Sequence, residues 1–130
     1  MTYEVIWEPH GVVVTYKNTL DSRSFMDSYI EVNRDIRYKS VKYQLVNTLY
    51  VNQVDINSHD MQLIADLDKS NSIKIPNLRF ALVANLKALE RLSHLYNREV
   101  KATSWKLAIF YSMEEARDWT SRVEKPIASL

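Results

Sequence analysis

Apolar and polar positions alternate from the start of the chain, with Tyr3, Val5 and Trp7 interleaved with Glu4, Ile6 and Glu8. Pro9-His10-Gly11 then turns the chain into Val12-Val13-Val14-Thr15-Tyr16. This pattern predicts a β-hairpin, with Gly11 placed where a turn takes positive φ. After Asn18-Thr19-Leu20-Asp21 the period lengthens, and Phe25, Met26, Tyr29, Ile30 and Asn33 fall at helical spacing behind the capping candidates Thr19, Asp21 and Ser22. A helix is expected over about residues 22 to 34. A charged connector from Arg34 to Lys42 leads into a β-branched and aromatic run, residues 43–51, that reads as a strand.

Met61, Leu63, Ile64 and Leu67 mark a second helix ending near Asn71, with Ser58 as its expected N-cap. Pro76 separates it from Leu78-Arg79-Phe80-Ala81-Leu82-Val83-Ala84, the most continuously apolar run and the expected central strand. Asn85 stands where a third helix needs a cap, and Leu86, Leu89, Leu92, Ser93 and Tyr96 form that helix's inner stripe. The last strand is expected over residues 105–111. Ser112-Met113-Glu114-Glu115 reads as a capping box opening a fourth helix that turns Ala116, Trp119 and Val123 inward and ends at Pro126. The order ββαβαβαβα predicts an α/β domain spanning residues 1–130, with a mixed five-stranded sheet, four helices, and parallel strands beyond the first hairpin. Polar residues within the strands, Glu4, Glu8, Gln44, Thr48 and Lys106, predict that one sheet face is less covered than the other.

Composition narrows the functions. At 130 residues and 46% apolar, the chain suits one hydrophobic core. Seventeen basic and sixteen acidic residues leave a net charge of +1, so no overall field gathers nucleic acid or anionic membrane. The absence of cysteine removes disulfides, thiolate nucleophiles and cysteine metal sites. No apolar run reaches the roughly 18 to 20 residues of a membrane span, and the first residues lack a signal peptide's pattern, so a soluble, cytoplasmic protein is expected. The lone glycine excludes glycine-rich phosphate loops.

The element order carries a resemblance, together with Tyr3-Glu4-Val5-Ile6-Trp7, Gly11-Val12-Val13-Val14-Thr15-Tyr16, Leu82-Val83-Ala84 and Glu114-Glu115-Ala116-Arg117-Asp118-Trp119. Over nearly its whole length the chain resembles the small bacterial proteins of SpoIIAA-like fold, relatives of STAS domains. That resemblance implies a non-enzymatic, often dimeric domain, in a superfamily of anti-sigma-factor antagonists, transporter-attached regulatory domains and lipid-carrying relatives. In the antagonists a phosphorylated serine opens the helix after the third strand, within an Asp-Ser-Ser-Gly-Leu-Gly type motif. The matching stretch here is Asp55-Ile56-Asn57-Ser58-His59-Asp60-Met61, which lacks the glycines and puts Asp60 beside Ser58. Ser58 is therefore read as a structural cap, unmodified.

No constellation spells out catalysis. His10, His59 and His94 match no metal-ligand spacing, and no cofactor is expected. Ser58, His59 and Asp60 do not make a triad, because helix neighbours point about 100° apart. Asp55, Asp60, Asp66 and Asp68 lack the spacing of a calcium loop and read as a solvated helix face. Arg34, Arg37, Lys39 and Lys42 with Tyr38 and Tyr43 contain the parts of a nucleic-acid patch, but Asp35 and the neutral balance argue against one. Phe25, Met26, Tyr29 and Ile30 form an apolar stripe that reads as core. Two functions remain. One is a regulatory or interaction module with a protein partner or a second copy of itself. The other is a small-molecule or lipid carrier binding at the carboxyl ends of the strands. Asp55, Ser58 and Asn85 are the candidate regulatory or ligand site, and Tyr3, Val5 and Trp7 the candidate homodimer surface.

Overall fold

The computed structural model describes residues 2–122. Val123 and the helix stop at Pro126 lie outside the described residues. Strands β1 (Tyr3–Glu8) and β2 (Gly11–Asp21) are followed by α1 (Ser22–Arg34), a short 3-10 helix (Ile36–Ser40), and β3 (Tyr43–Asp55). Then come α2 (Ser58–Lys74), β4 (Arg79–Val83), α3 (Lys87–Val100), β5 (Lys106–Phe110) and α4 (Met113–Ser121). The strands form one sheet in the order β1-β2-β3-β4-β5. β1 runs antiparallel to β2, and the other neighbours are parallel. The expected mixed five-stranded α/β architecture with four helices is present.

β2 and β3 are longer than the hydrophobic pattern indicates. Their ladder continues to Asp21 opposite Asp55, through register shifts between Thr15 and Lys17 and between Asn18 and Thr19. Asn18 sits at φ 63°, the left-handed conformation that Asn tolerates, and the irregularity hides the period-two signal. β4 ends at Val83 opposite Asn47, so the ladder between β3 and β4 stops there while β3 stays paired with β2.

Gly11 corrects an expectation. Its φ is not positive. It is buried against Tyr43, and a Cβ there would overlap the tyrosine ring, so glycine is required for close approach.

Odd and even positions of the strands feed separate clusters. Val12, Val14 and Tyr16 of β2 and Val46 of β3 face a layer made by α1, α2 and α3. Val13, Leu45, Ala81 and Val83 face the other way, against Ala116 of α4. This second face carries α4 over β3 to β5, while Ile6, opposite Val13, is 48% exposed. The face expected to be thinly covered is this one. Arg79 holds α4 by donating to the Trp119 carbonyl at 3.1 Å, with its guanidinium 5.0 Å from the indole centroid.

The caps differ from expectation at two helices. Asp21 accepts from the Ser24 amide at 2.8 Å and completes a capping box on α1. At α2, Asn57 is the cap, accepting from the Asp60 amide at 2.8 Å, and Ser58 is already the first helical residue. At α3 the cap position belongs to Leu86, which provides no side-chain acceptor; Asn85 lies one residue upstream and is exposed. Ser112 caps α4 as expected, accepting from the Glu115 amide at 3.2 Å, but the return half of the expected capping box differs: the Glu115 carboxylate takes the Ser112 hydroxyl at 3.1 Å.

Candidate functional site: a buried carboxylate beside a cavity, and an exposed rim

Asp68 is the residue that the sequence pattern misplaces. It follows Met61, Ile64 and Ala65 on the inner stripe of α2 and is 2% exposed, not on a solvated face. Its carboxylate accepts from Tyr29 of α1 at 2.8 Å, from Tyr96 of α3 at 2.6 Å and from Asn71 at 3.0 Å. Asn71 also reaches the Asn33 side chain at 2.8 Å and the Tyr29 hydroxyl at 3.0 Å, so this cluster bridges α1 and α2. All the donors are neutral, and among the described residues no cation forms an ion pair with Asp68. Burial raises the Asp68 carboxyl above its ordinary range, and the bonds from Tyr96, Tyr29 and Asn71 offset only part of that. The Tyr29 and Tyr96 phenols are pushed up by burial and by the Asp68 charge, so both stay protonated donors.

Beside this cluster the helical layer does not close fully on the sheet. A cavity of about 80 Å³ remains, with mainly apolar walls that include Val46, Ile64, Phe80, Leu82 and Leu89. Asp68, Tyr29, Tyr96 and Ser93 also line it. Phe25 and Tyr29 of the predicted α1 stripe reach this cavity and Met26 packs on the core, whereas Ile30 is 47% exposed.

The residues singled out from sequence lie elsewhere. Asp55 ends β3, Ser58 opens α2 and Asn85 precedes α3; all are exposed. α2 and α3 run side by side in one register, Asp68 with Tyr96 and Lys69 with Glu99 at 3.4 Å, so their first turns stand at the same end of the sheet. All three lie beyond the last pair between β3 and β4, Asn47 with Val83, toward the carboxyl ends of the strands, and no hydrogen bond joins any two of them among the described residues. Tyr50 and Tyr111, 64% and 67% exposed, lie on the same carboxyl-end side.

Tyr3, Val5 and Trp7 turn toward the helical layer and are half-buried there. Tyr3 donates to Glu31 at 2.8 Å, and that bond raises its phenol to about 12. Arg37 lies 4.7 Å from the Trp7 ring centroid and forks onto Asp35 at 2.9 and 2.8 Å, which lowers the Asp35 carboxyl to about 2. Tyr38 and Tyr43 are buried, so the basic connector has no stacking rings to offer a nucleic acid. The histidines are exposed, and no cluster of metal-binding side chains occurs among the described residues. No helix among them is long and apolar enough to cross a membrane.

The parallel α/β sheet, its antiparallel leading hairpin and its three-helix layer define the class of protein. Comparison with solved structures narrows that class to the SpoIIAA-like, STAS-type fold. The structure of the anti-sigma factor antagonist SpoIIAA in its unphosphorylated form superposes with a TM-score of 0.59 at 13% identity, over 92% of this chain and 97% of that one. An uncharacterised protein of the DUF3478 family with a SpoIIAA-like fold, from Shewanella loihica, superposes with a TM-score of 0.54 at 11% identity, over 91% of each chain. No protein-family model matches the chain, and no curated protein matches it in sequence.

Proposed function

We propose that the chain is a non-enzymatic regulatory or protein-interaction module of STAS type, acting in the cytoplasm by docking a partner. The observation that carries this reading is the rim at the carboxyl ends of the strands. There Asp55, Ser58 and Asn85 stand exposed on the side that also displays Tyr50 and Tyr111. Exposed tyrosines among small polar groups suit a protein interface, since they supply large contact area and a hydroxyl at low conformational cost. A photo-crosslinking residue at Tyr50 should capture a defined protein in the source cells that the same residue at Ile73, still more exposed and on α2, does not. Identical captures at both positions would reject the rim.

Self-association belongs to the same reading. With Tyr3, Val5 and Trp7 turned inward, the part of β1 open to a second copy is its free edge and Ile6. Ile6→Glu should then shift a dimer toward monomer in sedimentation equilibrium, and a wild-type mass near 15.3 kDa at all concentrations would eliminate the dimer. A second reading, a small-molecule carrier, is favoured by the cavity against Asp68.

A further inference from the structure

We infer that the cavity between the sheet and α1 to α3 is a binding site for a small primary amine, taken up as its ammonium, with Asp68 as counter-ion. The inference rests on the carrier reading and names its ligand class. A buried carboxylate is ordinarily matched by a cation or moved to the surface, because an uncompensated charge in an apolar interior is costly. Among the described residues Asp68 has neither remedy. Its partners are the neutral donors Tyr29, Tyr96 and Asn71, and it lines a space with mainly apolar walls. A carboxylate offers about four acceptor positions, so three donors leave room for another.

An ammonium in that place turns the uncompensated anion into a charge-assisted pair. The phenol rings of Tyr29 and Tyr96 and the ring of Phe80, all lining the space, add faces that attract a cation. The aliphatic part of the ligand lies against Leu82, Leu89 and Ile64. A carboxylate-bearing ligand is repelled by the same charge. An alcohol supplies the hydrogen bond without the charge and should bind more weakly. Size is limited as well: about 80 Å³, against roughly 150 Å³ for an engineered cavity that takes benzene, selects a short chain over a lipid.

The raised Asp68 carboxyl agrees with this geometry, since a cation in contact would draw it back toward the ionised form.

The test is a titration of the full-length protein with n-propylammonium, n-propanol and propionate, read by methyl NMR shifts of Ile64, Leu82 and Leu89 and by calorimetry. Propylammonium should bind saturably and at least about ten-fold more tightly than propanol, the weight of one charge-assisted contact. Propionate should leave the spectrum unchanged. Asp68→Asn should erase the preference for the amine. Ser93→Leu, which fills the cavity from α3 and keeps the Asp68 carboxylate in the chain, should abolish binding of both, and it keeps the test usable if Asp68→Asn does not fold. Equal binding of propanol and propylammonium in the wild type would overturn the amine assignment while leaving a carrier. Shifts confined to methyls outside the cavity, such as those of exposed Leu63, or no saturable shift with either compound, would overturn the amine and the carrier reading together.

Discussion

Two carboxylates, one on each face of the sheet, have solved the same problem in opposite ways. Asp68, under the three-helix layer, is held by two phenols and an amide and meets no cation among the described residues. Glu8, at the end of β1, is gripped by the Arg117 guanidinium of α4 at 2.6 and 2.8 Å and takes the Tyr43 hydroxyl at 2.5 Å. The bond from Arg117 lowers the Glu8 carboxyl, with Tyr43 adding to it, against a smaller desolvation effect. Desolvation dominates at Asp68 and raises it. Glu8 ties α4 to the hairpin across the thinly covered face, which is a structural task. Asp68 occupies a costly position beside a cavity, which is what the proposed ligand site rests on.

The largest effect expected from breaking this contrast is that of Asp68→Ala. It leaves the buried hydroxyls of Tyr29 and Tyr96 and the Asn71 amide without their acceptor, and should lower unfolding free energy by about 2–4 kcal/mol in urea titrations. Gly11→Ala attacks the other side. The new methyl meets the ring of Tyr43, the residue that steadies Glu8, and overpacking there should cost about 1–3 kcal/mol in the same assay.

The pH dependences should have opposite signs. The folded Asp68 carboxyl lies above its ordinary value of 3.8, so its contribution is fully present below that pH and is lost as pH rises through the raised folded value. The folded Glu8 carboxyl lies below 4.5, so its contribution is present above that pH and is lost as pH falls through the lowered value. As pH rises above 3.8, stability of Asp68→Asn relative to wild type should therefore improve, while that of Glu8→Gln worsens as pH rises toward 4.5 and then levels off. Same-signed trends in the two variants would dissolve the contrast. The smallest effect is that of Arg117→Ala: the guanidinium is partly exposed, so the loss should stay near or below about 1 kcal/mol and shrink in high salt.

The contrast also shows how the sequence is to be read. Asp68 lies seven residues after Met61 and four after Ile64, on the inward stripe, and a count along the helix period finds it. Grouping it with Asp55, Asp60 and Asp66 as a solvated run hides that signal. Tyr29 and Tyr96 fall on their helices' inward stripes in the same way, but nothing local says that their hydroxyls converge from α1 and α3 on one carboxylate. The cap of α2 is a closer miss. Asn57 and Ser58 are both good caps, and the choice depends on which of them keeps extended backbone. Asn57→Ala should accordingly cost about 1 kcal/mol and Ser58→Ala much less, measured by urea unfolding.

What the sequence determined by itself is the succession of elements. Period two in the strands, period 3.6 in the helices and the Asp21 and Ser112 caps are local properties, legible without knowing any neighbour. The length of β2 and β3 was not local. It depends on a ladder that passes through a left-handed Asn18, and polar residues there are held by pairing instead of by burial. The role of Gly11 was decided by the ring of Tyr43, 32 positions away in the chain and adjacent in the sheet. The site was decided the same way. A carboxylate acquires its unusual chemistry from what desolvates it, and the groups that desolvate Asp68 come from three helices and a sheet that only the fold assembles.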